Sequence, residues 1–140
     1  MKTRRLVILS MVTILMIGNS CKKAVEQQVE DVIKKTITDG TWYVSKFVEG
    51  GTDITSSYNG WVCKFNDDNT LVATKTSTIQ TGTWQSNFAS QTFSAQFSSA
   101  VGDPLQKLNG TWTVVSSTAT KGGFSQTKNS VSYIMELTKN

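Results

Sequence analysis

The chain contains no histidine, which removes the commonest metal ligand and the usual base for a serine or cysteine nucleophile. Of its two cysteines, Cys63 lies between Val62 and Lys64 in an alternating run that ends at Phe65. Nothing near it in sequence lowers a thiol pKa, so it reads as a small core residue and no enzymatic chemistry is expected. Asp67-Asp68-Asn69 supplies oxygen ligands, but the alternate-position ligands and the distal glutamate of a calcium loop are missing, so a hairpin turn is expected there. No metal or cofactor is called for. What remains is recognition chemistry. The aromatic residues Trp42, Trp61, Trp84, Phe93, Phe97, Trp112 and Tyr133 can line a ligand cavity or fill a core. Lys46 and Lys75 share strand parity with apolar neighbours close to strand ends. Turned inward, either ammonium would meet the anionic head of an amphiphilic ligand; turned outward, it snorkels to water.

Cys21 belongs to a different chemistry. Residues 1–20 start with Lys2, Arg4 and Arg5 and continue through thirteen mostly apolar residues, Leu6 to Gly18, before Asn19-Ser20-Cys21. As a helix that run would span about 20 Å, short of the roughly 30 Å hydrocarbon core, so it is an export signal and not a permanent span. Ser20-Cys21 resembles the cleavage box of bacterial lipoproteins, in which the cysteine is acylated and becomes the first mature residue. Lys22-Lys23 after it is similar to the start of many Bacteroidota lipoproteins. The resemblance implies stable anchoring to the outer membrane through several acyl chains on Cys21. The periplasmic face is expected in preference to the cell surface, because Lys22 to Glu26 lacks an acidic surface-export run. Acylated Cys21 leaves Cys63 without a disulfide partner. Loss of the signal removes three of fourteen basic residues and none of ten acidic ones, so the mature chain carries eleven against ten, a net charge of +1. Its lysines are scattered, which excludes the clustered cationic stripe that nucleic acid requires.

The elements that position these residues change period near Gly40. Before it, Val25, Val29, Val32 and Ile33 form one helical stripe within 22–36, supported by the i,i+4 pairs Glu30–Lys34 and Asp31–Lys35. This segment, 21–38, either docks on the following domain or serves as its tether. The β-branched run Thr36-Ile37-Thr38 is expected to end the helix. From 39 to 140 the period is two. Gly40-Thr41-Trp42 opens the first strand, and Gly60-Trp61, Gly82-Thr83-Trp84 and Gly110-Thr111-Trp112 repeat the signal at spacings too uneven for a solenoid or propeller. Trp42, Val44, Lys46 and Val48 share one face of strand one. The Asn66–Asn69 turn sets Phe65 opposite Leu71. Thr76 to Gln80 reads as a turn, Asp103-Pro104 as the cap and first position of one helical turn carrying Leu105 and Leu108, and Gly122-Gly123 as a break in a weak strand. Eight short antiparallel strands without helical crossovers are most economically closed as an up-and-down barrel, in which a lumen is just filled or holds one small ligand.

The lipoprotein-type Cys21, the short helix and the Gly-Thr-Trp entries together resemble the lipocalin-like domain of Bacteroidota lipoproteins. The resemblance implies an all-β, eight-stranded barrel over residues 39–140 and a binding role for a small amphiphile, with Trp42, Lys46, Trp61, Lys75, Trp84, Phe97, Trp112 and Tyr133 as candidate contacts. It also implies that Trp42 closes a barrel floor beneath a cation from near the last strand, here a lysine. The other expectation is an inhibitor or envelope-assembly subunit that binds a protein through loops 50–60 and 98–109.

Overall fold

Alternation of apolar and polar side chains from residue 42 onward produces strands whose inner faces meet. The computed structural model describes residues 22–140, so Cys21 and the expected export signal lie outside the described residues. A helix, α1, covers 22–38. The strands are β1 (Trp42–Glu49), β2 (Thr52–Asp53), β3 (Val62–Phe65), β4 (Thr70–Lys75), β5 (Thr78–Asn87), β6 (Thr92–Phe97), β7 (Gly110–Ser117), β8 (Lys121–Lys128) and β9 (Val131–Lys139). β1 pairs with β9 along its length and touches β3 at Trp42 opposite Cys63, which closes a sheet ordered β1-β3-β4-β5-β6-β7-β8-β9 into an eight-stranded barrel. The two-residue β2 only folds back on the end of β1.

The lumen is filled. Trp84, Trp112, Phe47, Phe97, Leu71 and Met135 are among the largest fully buried side chains, as expected for eight strands at native packing density. One end, reached by the connections after β1 and β6, is shut by two 3-10 turns. In the first (Thr55–Tyr58), Tyr58 stacks on Phe47 at 4.8 Å and donates its hydroxyl to the Pro104 carbonyl at 3.0 Å. In the second (Leu105–Leu108), both leucines are buried and Trp112 donates its indole N–H to the Leu108 carbonyl. Loops 50–60 and 98–109 therefore turn their apolar side chains inward. We call this the capped end.

Several sequence expectations are corrected. Lys46 does not face the lumen: a β-bulge between Val44 and Lys46 leaves Ser45 as an extra residue, and the parity of β1 flips beyond it. Phe47 fills the lumen instead, while Lys46 is half exposed and lies 3.7 Å from Glu136 on the outer wall. Helix α1 continues through Thr36-Ile37-Thr38, because the two threonine hydroxyls donate back to the carbonyls of Val32 and Lys35. β5 begins at Thr78, inside the expected turn. β8 runs unbroken through Gly122-Gly123, where a Cβ on Gly122 would come 2.7 Å from the Phe124 ring. The turn after Pro104 forms, but Asp103 does not cap it; its carboxylate lies 3.7 Å from Lys107.

Candidate cleft beneath the helix

The opposite end of the barrel carries α1, the turns after β3, β5 and β7, and the end of β9. Gly40 takes φ +83°, the left-handed region that a Cβ disfavours, and so turns the chain from α1 into β1. That turn is pinned on both sides. Trp42 donates its indole N–H to the Ile37 carbonyl at 2.8 Å, and the Lys64 ammonium donates to the Thr38 and Gly40 carbonyls. Lys139, near the end of β9, reaches over the Trp42 ring at 5.7 Å and pairs with Asp39 at 3.0 Å. The lysine above Trp42 that the resemblance implies is thus Lys139. Its hydrogen bond holds the Asp39 carboxyl below the usual carboxylate range.

Only the second half of α1 docks. Ile33, Thr36 and Ile37 face the barrel, whereas Val25 and Val32 of the sequence-predicted stripe are 59% and 65% exposed. Between that half-helix and the barrel end lies a cleft of about 470 Å³. Its floor is Trp42, Phe65, Phe93, Phe124 and Leu137, with Phe93 and Phe124 at 5.1 Å between ring centres. Two turns make the opposite wall. The first, Asn87 to Gln91, is fixed by the Asn87 side chain accepting from the Ser90 N–H and by the Val114 N–H donating to the Gln91 carbonyl. The second, Ser117 to Lys121, is fixed by the Thr118 hydroxyl accepting from the Lys121 N–H at 3.0 Å. A second β-bulge between Val114 and Ser116 leaves Val115 unpaired on the rim. Gly122 also lines the cleft, which keeps the Phe124 ring low in the floor.

The lining is apolar below and hydroxyl-bearing above. Lys121 is its one charged residue, no carboxylate lines it, and Lys121 forms no salt bridge among the described residues. Such an arrangement suits non-covalent binding of an apolar body with a polar end. Cys63 offers no reactive thiolate, since burial pushes its pKa up to about 12. Asp68 spends its carboxylate on the backbone N–H and hydroxyl of Thr70, a turn-building role.

Of the aromatic and lysine residues singled out from sequence, Trp42 and Phe93 line the cleft. Trp84, Phe97 and Trp112 are core, with the Trp84 indole N–H on the Asn66 carbonyl at 3.0 Å. Trp61 packs against that core from its edge. Lys75 lies at the capped end, its stem laid across Gly60. Tyr133 donates its hydroxyl to Glu49 at 3.1 Å, beside the Lys107–Glu49 ion pair at 2.8 Å, and so ties the second 3-10 turn to β1 and β9. Burial is the main cause raising the Tyr133 pKa, and the Lys107 hydrogen bond is the main cause lowering that of Glu49. Sequence reasoning missed the cleft because its residues come from α1, the β5–β6 and β7–β8 turns and the end of β9. The available signals were Phe88 in a polar turn and the small pair Gly122-Gly123 ahead of Phe124.

No family model matches the chain, and no curated protein matches it. Among solved structures, a DUF4847 family protein from Bacteroides vulgatus superposes with a TM-score of 0.57 over 77% of this chain and 97% of its own, at 15% identity. At that identity the likeness establishes a shared barrel fold.

Proposed function

We propose that this chain is a non-enzymatic, lipid-anchored envelope protein that binds a small amphiphilic molecule in the cleft beneath α1. The observation that carries the reading is the cleft itself: about 470 Å³, within the range of small-molecule sites, with an aromatic floor and hydroxyls at the rim. Because the lumen is filled, the reading favours the end that α1 covers over the barrel interior. Acylation of Cys21 would hold the domain at the outer membrane, periplasmic face first, close to a supply of amphiphiles. The test is titration of the unacylated full-length chain, carrying Cys21→Ser, with the neutral dye N-phenyl-1-naphthylamine. Saturable fluorescence is expected. Ile33→Glu puts a carboxylate into the apolar wall from a helix position outside the barrel core, and should weaken the dye at least about tenfold without moving the unfolding midpoint. Absence of a saturable signal at high micromolar dye would end the small-ligand reading. The second reading, an inhibitor or assembly subunit that contacts a protein, would then rest on the exposed rim residues Phe88 and Val115, 40% and 62% exposed, and not on loops 50–60 and 98–109.

A further inference from the structure

Exposed apolar side chains collect at the α1 end of the barrel. Of the large ones, Val25, Val32, Phe88 and Val115 lie on α1 or at the cleft rim, Tyr43 and Ile134 stand singly on the outer wall, and Ile79, at the start of β5, lies toward the capped end. The capped end instead buries Tyr58, Leu105 and Leu108. Resting on the anchoring of Cys21 proposed above, we infer that the α1 end is a membrane-docking surface, seated in the lipid head-group layer by Val25 and Val32 of α1 and Phe88 of the β5–β6 turn. Chain connectivity names the occupant. α1 starts at Lys22, so no linker separates the acylated position from the helix. Its far end is fixed to the barrel by the Trp42 indole on the Ile37 carbonyl, by Lys64 on the Thr38 and Gly40 carbonyls and by the Asp39–Lys139 pair. At a rise of about 1.5 Å per residue, Ile33, where the docked half begins, is only about 17 Å from Lys22. On the undocked stretch, Val25 and Val32 are two turns apart on one side of the helix and are 59% and 65% exposed. Apolar side chains held beside a bilayer leave water by entering the head-group layer, about 5 to 10 Å deep. Charge does not drive the contact, because α1 carries four lysines against three acidic residues and Asp68 stands near Lys34, so zwitterionic lipid suffices. Phe88 also lines the cleft, which therefore opens beside the lipid surface, but the docking does not require the cleft to be filled.

The test is fluorescence quenching on phosphatidylcholine vesicles that carry the acylated protein and a fraction of head-group spin-labelled phosphatidylcholine. Val25→Cys, Val32→Cys and Phe88→Cys each take a thiol-reactive nitrobenzoxadiazole label, with Gln27→Cys on the other side of the helix and Ile79→Cys near the capped end as controls. Cys63 is buried and Cys21 acylated, so neither competes for the label. Labels at 25, 32 and 88 should be quenched at least about twofold more than those at 27 and 79, equally at low and high salt. Val25→Asp with Val32→Asp should reduce the quenching at position 88 at least about twofold while the acyl chains keep the protein on the vesicles. Quenching that is equal at all five positions, or absent from all, overturns the docking surface and leaves the anchor in place. Labels at 25, 32 and 88 that are shielded from soluble iodide yet spared by the spin label would put a second copy of the chain on this face and overturn it too. A chain that carries no acyl mass and does not float with the vesicles overturns the anchoring reading instead.

Discussion

A single extra residue, Ser45, decides which of two neighbours enters the barrel. The bulge seats its hydroxyl on the Glu136 carbonyl, with the Thr138 hydroxyl donating to it at 2.8 Å, and from there Phe47 points inward and Lys46 outward. The two side chains should therefore differ sharply in their contribution to stability. Phe47→Ala deletes a fully buried ring that stacks on Tyr58 and meets Trp112 edge-on, and should cost about 3 to 5 kcal/mol. Lys46→Ala removes half of a solvent-exposed ion pair and should stay within about 0.5 kcal/mol of the parent. Urea unfolding of both variants checks this, and comparable losses would contradict the bulge.

Between elements, the group Glu49–Lys107–Tyr133 fastens the second 3-10 turn to the barrel wall and gives the capped end its own pH dependence. Glu49 is lowered, so its stabilisation is present above the ordinary glutamate range and fades as pH falls through the folded-state value. Lys107 and Tyr133 are raised, so theirs is present below their ordinary values and fades as pH rises through the folded-state values. Thermal midpoints should be flat at neutral pH and fall at both extremes, and Glu49→Gln should flatten part of the acid limb. A wild-type acid limb that Glu49→Gln leaves unaltered would remove this ion pair from the account. β5 and β6 depend on a different constraint, since a Cβ on Gly82 would stand 2.5 Å from the Gln96 carbonyl oxygen. Gly82→Ala should cost about 1 to 3 kcal/mol, read as a shifted urea midpoint at unchanged slope.

For the whole molecule, the two ends of the barrel have opposite characters. One is closed by turns that bury Tyr58, Leu105 and Leu108, and the other is covered by a half-docked helix that leads back toward Cys21. No helix among the described residues is long and apolar enough to cross a membrane; the attachment proposed above is through acylated Cys21. Cys21→Ser should abolish partition into the detergent phase, and the parent should carry an acyl mass on its first mature residue. A parent that lacks that mass and stays in the aqueous phase would reject the anchor while leaving the cleft prediction standing.

Local chemistry made part of this legible in advance. Period-two patterning from Trp42 to Leu137 specifies eight strands whose edges must close, and the Asn69 turn at φ 68° sets Phe65 opposite Leu71. These follow from one strand or one turn, within reach of sequence spacing. The bulge at Ser45 does not, because register is fixed only when β9 pairs with β1, some ninety residues later, and one inserted residue reverses every side chain beyond it. For the same reason Gly122-Gly123 reads as a break although it is continuous strand: the space those glycines clear is filled by Phe124 and Ser116, which meet them only in the closed sheet. The cleft is the extreme case. Its walls come from a helix, two turns and the last strand, and they enclose a volume only because the lumen beneath is already full and α1 is held at Gly40 and Trp42.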